Sequence, residues 1–326
     1  MGTVGGSTLV RATALTVLVG LLAGPGARMS LALWSATRTV GGNTMTTAAK
    51  FDTIAPSISG SVIAKASGTG KYLAGSIRPG SSFFVYANVT DSGAGASGVA
   101  TVTANVSSIR AGATATALVA GTYSVEGVAY AYRSAAQTAT ATTAQTYAYS
   151  ITATDKAGNV ATNTSFSVVV DGTAPAGSDV QTTNGGTAGR PDAGDTITVS
   201  YTERIDPESV LAGWTGASTA ITVRFTNSGN NDSVAVWNGT NSAQLPLGSV
   251  ALNGNFVSAN TTFAGTMLQS GATITVTLGT MSSGATLTTT TASAMSWTPS
   301  ASAKDAAGNA CSTASRPETG ANDVDF

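Results

Sequence analysis

Ala153-Thr154-Asp155-Lys156-Ala157-Gly158-Asn159 governs how this chain reads, because it returns as Ala303-Lys304-Asp305-Ala306-Ala307-Gly308-Asn309. Both copies carry Asp-x-Ala-Gly-Asn. An Asp at the start of such a turn accepts a hydrogen bond from an amide two residues on. Gly takes the positive φ that closes the turn, and Asn tolerates the left-handed region next best. Gly158-Asn159 and Gly308-Asn309 are therefore hairpin chemistry, with a strand-like run leading into each. The copies stand about 150 residues apart, one domain length. A second echo accompanies them: Asp52-Thr53-Ile54-Ala55-Pro56 recurs as Asp171-Gly172-Thr173-Ala174-Pro175. Each unit thus opens near Asp-x-x-Ala-Pro and closes near Asp-x-Ala-Gly-Asn. The structural turn residues are Asp155, Gly158, Asn159, Asp305, Gly308 and Asn309.

The flanking sequence alternates with the period of a strand. Tyr147, Tyr149, Ile151 and Ala153 lead into the first turn, and Val160, Phe166, Val168 and Val170 share one parity on the way out, which predicts that they face one core. Phe83, Val85, Ala87 and Val89 alternate with Phe84, Tyr86, Asn88 and Thr90 up to the turn at Asp91-Ser92-Gly93. Another strand begins at 98–102. In the second unit Ile197, Val199 and Tyr201 point one way, and strands are predicted at 220–225, 234–237, 248–252 and 272–278. Between them Ile205-Asp206-Pro207-Glu208-Ser209 reads as a helix start, with Asp206 as cap, Pro207 at the first position and Glu208 complementing the dipole. Val210, Leu211 and Trp214 would line one face of that one- to two-turn helix. These patterns predict an all-β chain of two tandem antiparallel β-sandwiches, at 51–171 and 194–326, with a polar joint at 172–193. Pro56 and Pro175 hold the preceding Ala extended and stiffen the connectors.

The Asp-x-x-Ala-Pro opening and the Ala-x-Asp-x-Ala-Gly-Asn hairpin resemble those of bacterial immunoglobulin-like modules, over nearly all of residues 51–171. Gly194-Asp195-x-Ile197-x-x-x-Tyr201-x-Glu203-x-Ile205-Asp206-Pro207 is similar to a second class of such modules, with Thr202 where Ser is usual. The resemblance implies Ig-like domains of a secreted or surface protein. The Cys-Trp-Cys core of antibody domains is missing, so kinship with those is not implied.

Arg11 precedes an apolar run at 12–23 followed by Gly24-Pro25-Gly26-Ala27, the pattern of a secretory signal peptide. Twelve apolar residues are too few to span a bilayer. Residues 1–32 are expected to be a signal peptide or, if uncleaved, an N-terminal anchor, which would be the chain's one membrane contact. Trp34-Ser35 and Gly42-Asn43-Thr44-Met45-Thr46 resemble the mature start of camelysin-type and biofilm-fibre proteins; the alternative is an extended linker at 33–50. No Leu-Pro-x-Thr-Gly signal is seen, which argues against covalent wall attachment by that route.

Composition narrows the chemistry. Charged residues make up 10% of the chain and the net charge is −1, so no basic field holds phosphates and nucleic-acid partners are not expected. Histidine is absent, which removes the commonest general base and metal-binding nitrogen; no catalytic residues are assigned and the chain is not expected to be an enzyme. Cys311 is the single cysteine and reads as a small apolar core residue.

Carboxylates come closest to a site. Asp52, Asp91, Asp155 and Asp171 stand at turns and unit ends, where structural calcium is the alternative to turn capping, though no spaced Asp-x-Asp-x-Asp loop occurs. Glu203, Asp206 and Glu208 fall close enough to imitate a glycosidase acid pair, but the last two already serve a helix start. Trp214, Trp237 and Trp297 could stack on sugars, the latter two reading better as core. Two functions follow as expectations. One is a secreted, cell-surface structural or adhesive protein acting in display, spacing or self-assembly. The other is an extracellular carbohydrate- or protein-binding module.

Overall fold

The computed structural model describes residues 38–40, 43–45, 52–68, 70–93, 95–320, 324 and 326. The expected signal segment and most of the 33–50 linker lie outside them, except that β1 (Arg38–Val40) pairs antiparallel with β2 (Asn43–Met45). Residues 51–326 form a compact unit distinct from 1–50. Among the described residues no helix is long and apolar enough to cross a membrane.

The compact unit is nearly all β and holds two large sheets. The first contains β3 (Ser57–Ala64), β4 (Ser76–Ile77), β5 (Ser82–Thr90), β6 (Val99–Asn105), β7 (Thr116–Val125), β8 (Val128–Ser134), β9 (Gln137–Thr138), β10 (Gln145–Asp155) and β11 (Val160–Val170). Its path runs β3-β5-β8-β7-β6-β10-β11-β4, with β9 paired to β5. The second contains β12 (Gly177–Thr183), β13 (Thr196–Tyr201), β14 (Thr219–Thr226), β15 (Ser233–Asn238), β16 (Gln244–Ala251), β17 (Val257–Ser270), β18 (Thr273–Thr286), β19 (Ser296–Thr298) and β20 (Arg316–Pro317). Its order is β12-β13-β18-β17-β14-β15-β16-β19-β20. Each sheet curls like a barrel: β11 lies against β3, and β12 against β19 and β20.

Period-2 alternation builds each core. Phe83, Val85, Ala87 and Val89 of β5 are buried with Ile63, Val102, Ile151 and Val168 in the first. Val199, Tyr201, Val223, Phe225, Phe263, Ile274 and Trp297 belong to the second. Burying each large side chain contributes roughly 1.5–3 kcal/mol. Tyr86 faces away from the first core, yet is buried in a satellite cluster with Ala64 and Val125. Cys311 is free and buried in the second core.

Four local expectations change. Val160 is exposed, although Phe166, Val168 and Val170 share its parity. The β10–β11 register slips by one residue between the Ile151–Asn163 and Tyr149–Phe166 pairs, and a one-residue slip exchanges the faces of a strand. Asn163 holds that bulge, accepting from Ser165 N at 2.9 Å and Ser165 Oγ at 2.7 Å. The polar stretch 172–193 contains β12, which pairs with β13 through Val180 and Val199. The long strand β17 escapes sequence reading because Asn260-Thr261-Thr262 and Gly265 interrupt its apolar alternation. Finally, α1 (Pro207–Val210) is a single turn, so Leu211 falls at its C-cap and Trp214 lies beyond it, buried.

Candidate functional site

The two repeated turns share one hydrogen-bond scheme, and it differs from the expected one. Asp155 Oδ1 accepts Asn159 N, four residues on, at 2.8 Å. Asp305 Oδ1 accepts both Gly308 N at 2.7 Å and Asn309 N at 2.8 Å. Gly158 and Gly308 take φ of 93° and 95°, as the turn requires. Asn159 and Asn309 do not adopt positive φ; they are needed for their side chains. One Nδ2 proton of Asn159 reaches Asp155 Oδ2 at 2.7 Å and the other reaches the backbone carbonyl of Asp52 at 3.1 Å. Asn309 does the same with Asp305 Oδ2 at 2.8 Å and the carbonyl of Asp171 at 3.0 Å. A single side-chain amide thus ties each turn to the Asp-x-x-Ala-Pro connector that opens its own unit. The second turn does this without a long hairpin, held by the isolated Lys304–Ala310 and Ile205–Asp305 bridges, because the flanking Ser and Ala residues lack strand alternation.

This clamp gathers carboxylates. Asp52 from the connector, Asp91 from the end of β5 and Asp155 from the turn present oxygens within 4.8 Å of one another. Asp171, Glu203 beyond the end of β13, and Asp305 form the equivalent group, also within 4.8 Å. The four acids singled out from sequence as calcium candidates therefore divide: three meet, and Asp171 joins the second group. Glu203 and Asp305 complete that group and were not among the sequence candidates for a metal. The repeat offset would have pointed to Asp305 as the partner of Asp155.

Partners within each group leave specific oxygens open. In the connectors, Asp52 Oδ1 accepts Ile54 N at 3.1 Å and Asp171 Oδ1 accepts Thr173 N at 2.9 Å. Asp52 Oδ2 also takes Ser97 N at 2.7 Å, and Asp91 Oδ2 takes Gly98 N at 2.6 Å. These bonds to the Ser97 side chain and backbone hold the Asp52 carboxyl below its usual range. Asp91 Oδ1 and Glu203 Oε1 are buried without a partner. Burial first, and then the charges of Asp305 and Asp171, push the Glu203 carboxyl up to about 7. Three convergent carboxylates with an orphaned buried oxygen in each group are the donor chemistry of a hard cation, calcium above all, which takes oxygen ligands. Single buried acids elsewhere are different: Asp232 accepts Ser228, Phe256 and Val257 amides and is a turn clamp.

The second group stands where the two halves of the compact unit touch. Lys65 Nζ donates to the carbonyl of Ala306, inside the second turn. Burial lowers the Lys65 pKa despite the nearby charges of Asp206 and Asp305. Ser312 N donates to Pro175 O at 2.7 Å, and the Arg204 guanidinium lies 4.9 Å from the Tyr72 ring centroid.

The remaining sequence candidates disperse. Asp206 caps α1, accepting Glu208 N at 3.0 Å, and Glu208 lies against Gly70, whereas Glu203 joins Asp171 and Asp305. Trp214 and Trp297 are buried and donate to Ala217 O and Leu247 O. Trp237 is half-buried beneath Arg224. The Cys311 thiol is pushed up to about 11 by burial and by Glu203, which leaves it protonated and unreactive near neutral pH. In comparisons with known proteins, no family model matches the chain and no curated protein matches it.

Proposed function

We propose that the chain is a non-enzymatic, secreted or cell-surface structural protein, built of two tandem Ig-like modules that space and display what they carry. We further propose that calcium fastens their joints. The observation that carries this reading is the duplicated joint: connector Asp, strand-end acid and turn Asp come together twice, each time pinned by the turn Asn. In this reading Asp52, Asp91 and Asp155 hold one ion and Asp171, Glu203 and Asp305 the other, with water and backbone carbonyls completing six or more oxygens. A cation at the second joint neutralises the charge beside Lys65 and fixes the angle between modules. Display and spacing are favoured over strand-addition assembly, because each sheet curls until strands near its two ends lie side by side and crowd the approach of an added strand.

The test is thermal unfolding of the purified chain in EDTA, in calcium and in magnesium. Calcium should raise the midpoint, by an amount corresponding to about 2.7 kcal/mol for each occupied site at a hundredfold excess over Kd, and Asp155→Asn with Asp305→Asn should remove the rise. Identical melts in calcium and EDTA would end the metal reading. Fractionating the producing cells tests location separately; recovery of the protein in the cytosol would overturn the surface role.

A further inference from the structure

A second site, independent of the carboxylate joints, lies on the outward face of the second sheet. Arg224 on β14 lies flat over the indole of Trp237 on β15, with its guanidinium carbon 3.4 Å from the ring centroid. Its Nε donates to Asn241 Oδ1 at 2.6 Å and its Nη2 to Asn241 O at 2.7 Å. Asn241 holds this position at φ 58°, inside a turn organised by Asn238, whose Oδ1 accepts Ser242 N at 2.9 Å. The guanidinium is therefore fixed twice, by stacking and by hydrogen bonds along its Nε–Nη2 edge. Nη1 and the second Nη2 proton have no hydrogen-bond partner among the described residues, and Arg224 lines a polar cleft of about 330 Å³. No acid lines that cleft among the described residues. A rigid guanidinium with one free fork edge matches a planar carboxylate bidentately.

The cleft walls are neutral and rich in donors and acceptors. Thr262 stands opposite Arg224 on β17, and Ser283 opposite Thr262 on β18, with their hydroxyls 2.7 Å apart. Asn260 uses its Oδ1 on Asn227 N at 3.0 Å, leaving its NH₂ free to donate. Gln244 uses its Nε2 on Gly248 O at 3.2 Å, leaving its Oε1 free to accept. Hydroxyls and amides around a single cation suit a ring bearing several hydroxyls and one carboxylate. A peptide suits the cleft less well: β14 is paired on both sides, by β15 and β17, so its backbone cannot add a strand.

We propose that this cleft binds a uronic-acid residue of an acidic polysaccharide. The carboxylate sits on the free edge of Arg224, the ring hydroxyls reach Thr262, Ser283, Gln244 and Asn260, and the exposed part of Trp237 closes one side. This site gives the spacer a glycan to hold and does not depend on the metal reading.

The experiment is calorimetric titration of the full chain with oligogalacturonate and with glucuronate-containing oligosaccharides. It is run in EDTA, so that calcium cannot bridge ligand and protein carboxylates. Controls are the carboxyl-reduced oligosaccharides and oligoglutamate. Uronate binding should weaken at least tenfold on carboxyl reduction and at least tenfold in Arg224→Gln; Arg224→Lys, which keeps the charge and loses the fork, should behave like Arg224→Gln. Should Arg224→Gln fail to fold, the exposed Gln244→Ala and Ser283→Ala variants replace it, with about a threefold loss expected for each. Equal affinity for acidic and reduced oligosaccharides, unchanged binding in the variants, or no binding of either uronate overturns the proposal. Oligoglutamate binding as tightly as the uronates would make the cleft an acidic-peptide site and overturn the saccharide assignment.

Discussion

The two carboxylate joints have one skeleton and two electrostatic environments. In both, a connector Asp, a strand-end acid and a turn Asp converge within 4.8 Å, and an Asn side chain ties turn to connector. In the first, backbone amides of Ile54, Ser97, Gly98 and Asn159 already donate into the group, four against three in the second. In the second, Thr173 N serves Asp171, the Gly308 and Asn309 amides serve the turn Asp, and the strand-end position holds the longer Glu203. Its carboxyl is pushed up to about 7 by burial and its two acidic neighbours. The lesson is that repeating a turn motif repeats a geometry, while the local supply of amide dipoles decides how much negative charge is left for a cation to neutralise.

The largest effects should come from the turn acids. Asp305→Ala strands the Gly308 and Asn309 amides and the Asn309 side chain, and should cost about 3–5 kcal/mol in urea unfolding; Asp155→Ala strands fewer donors and should cost about 2–3 kcal/mol. Equal losses would break the comparison at its hydrogen-bond level. Next, calcium should bind the second joint more tightly, because its oxygens compete with fewer amides. Titration of Glu203→Gln should then show at least tenfold weaker binding at that joint, and Asp91→Asn a smaller loss at the other. The reverse order would mean that amide donation pre-organises the site rather than competing with the ion.

Asn159→Ala and Asn309→Ala each remove a turn-to-connector bond and should cost about 1–2 kcal/mol. Faster proteolysis at the connector, residues 171–176, is expected only in the second variant. The smallest effect concerns pH. The folded-state pKa of Glu203 is raised from the ordinary 4.5 to about 7, so the folded chain binds this proton more tightly than the unfolded chain. The resulting stability is fully present below about pH 4.5 and is lost as pH rises through about 7. In EDTA the second joint should therefore weaken from pH 4.5 to 7. Glu203→Gln should abolish that slope, and saturating calcium should reverse it. A slope unchanged by Glu203→Gln would assign it to another group.

Much of the β architecture was legible. Phe83 to Val89 and Ile197 to Tyr201 alternate in sequence and fill the two cores, because a half-buried strand imposes a period of two. Gly158 and Gly308 announced their turns, because few other residues accept their φ. Val160 was misplaced because the bulge beside Asn163 leaves no mark in hydrophobic parity. The turn Asn residues were assigned to backbone tolerance, whereas their side chains reach across the unit to Asp52 and Asp171. Trp237 read as core, and whether Arg224 covers it depends on the turn that places Asn241.

The sequence by itself determined the secondary-structure class, the repeat and the residues able to make tight turns, because these depend on neighbours a few positions away. The tertiary structure alone decided that Asp52, Asp91 and Asp155 meet, that Asp171 belongs with Glu203 and Asp305, and that Arg224 keeps one edge open over Trp237. Those meetings depend on strand register, on a bulge and on the curl of each sheet. Such features are set by the packing of whole cores, and no local stretch of sequence carries them.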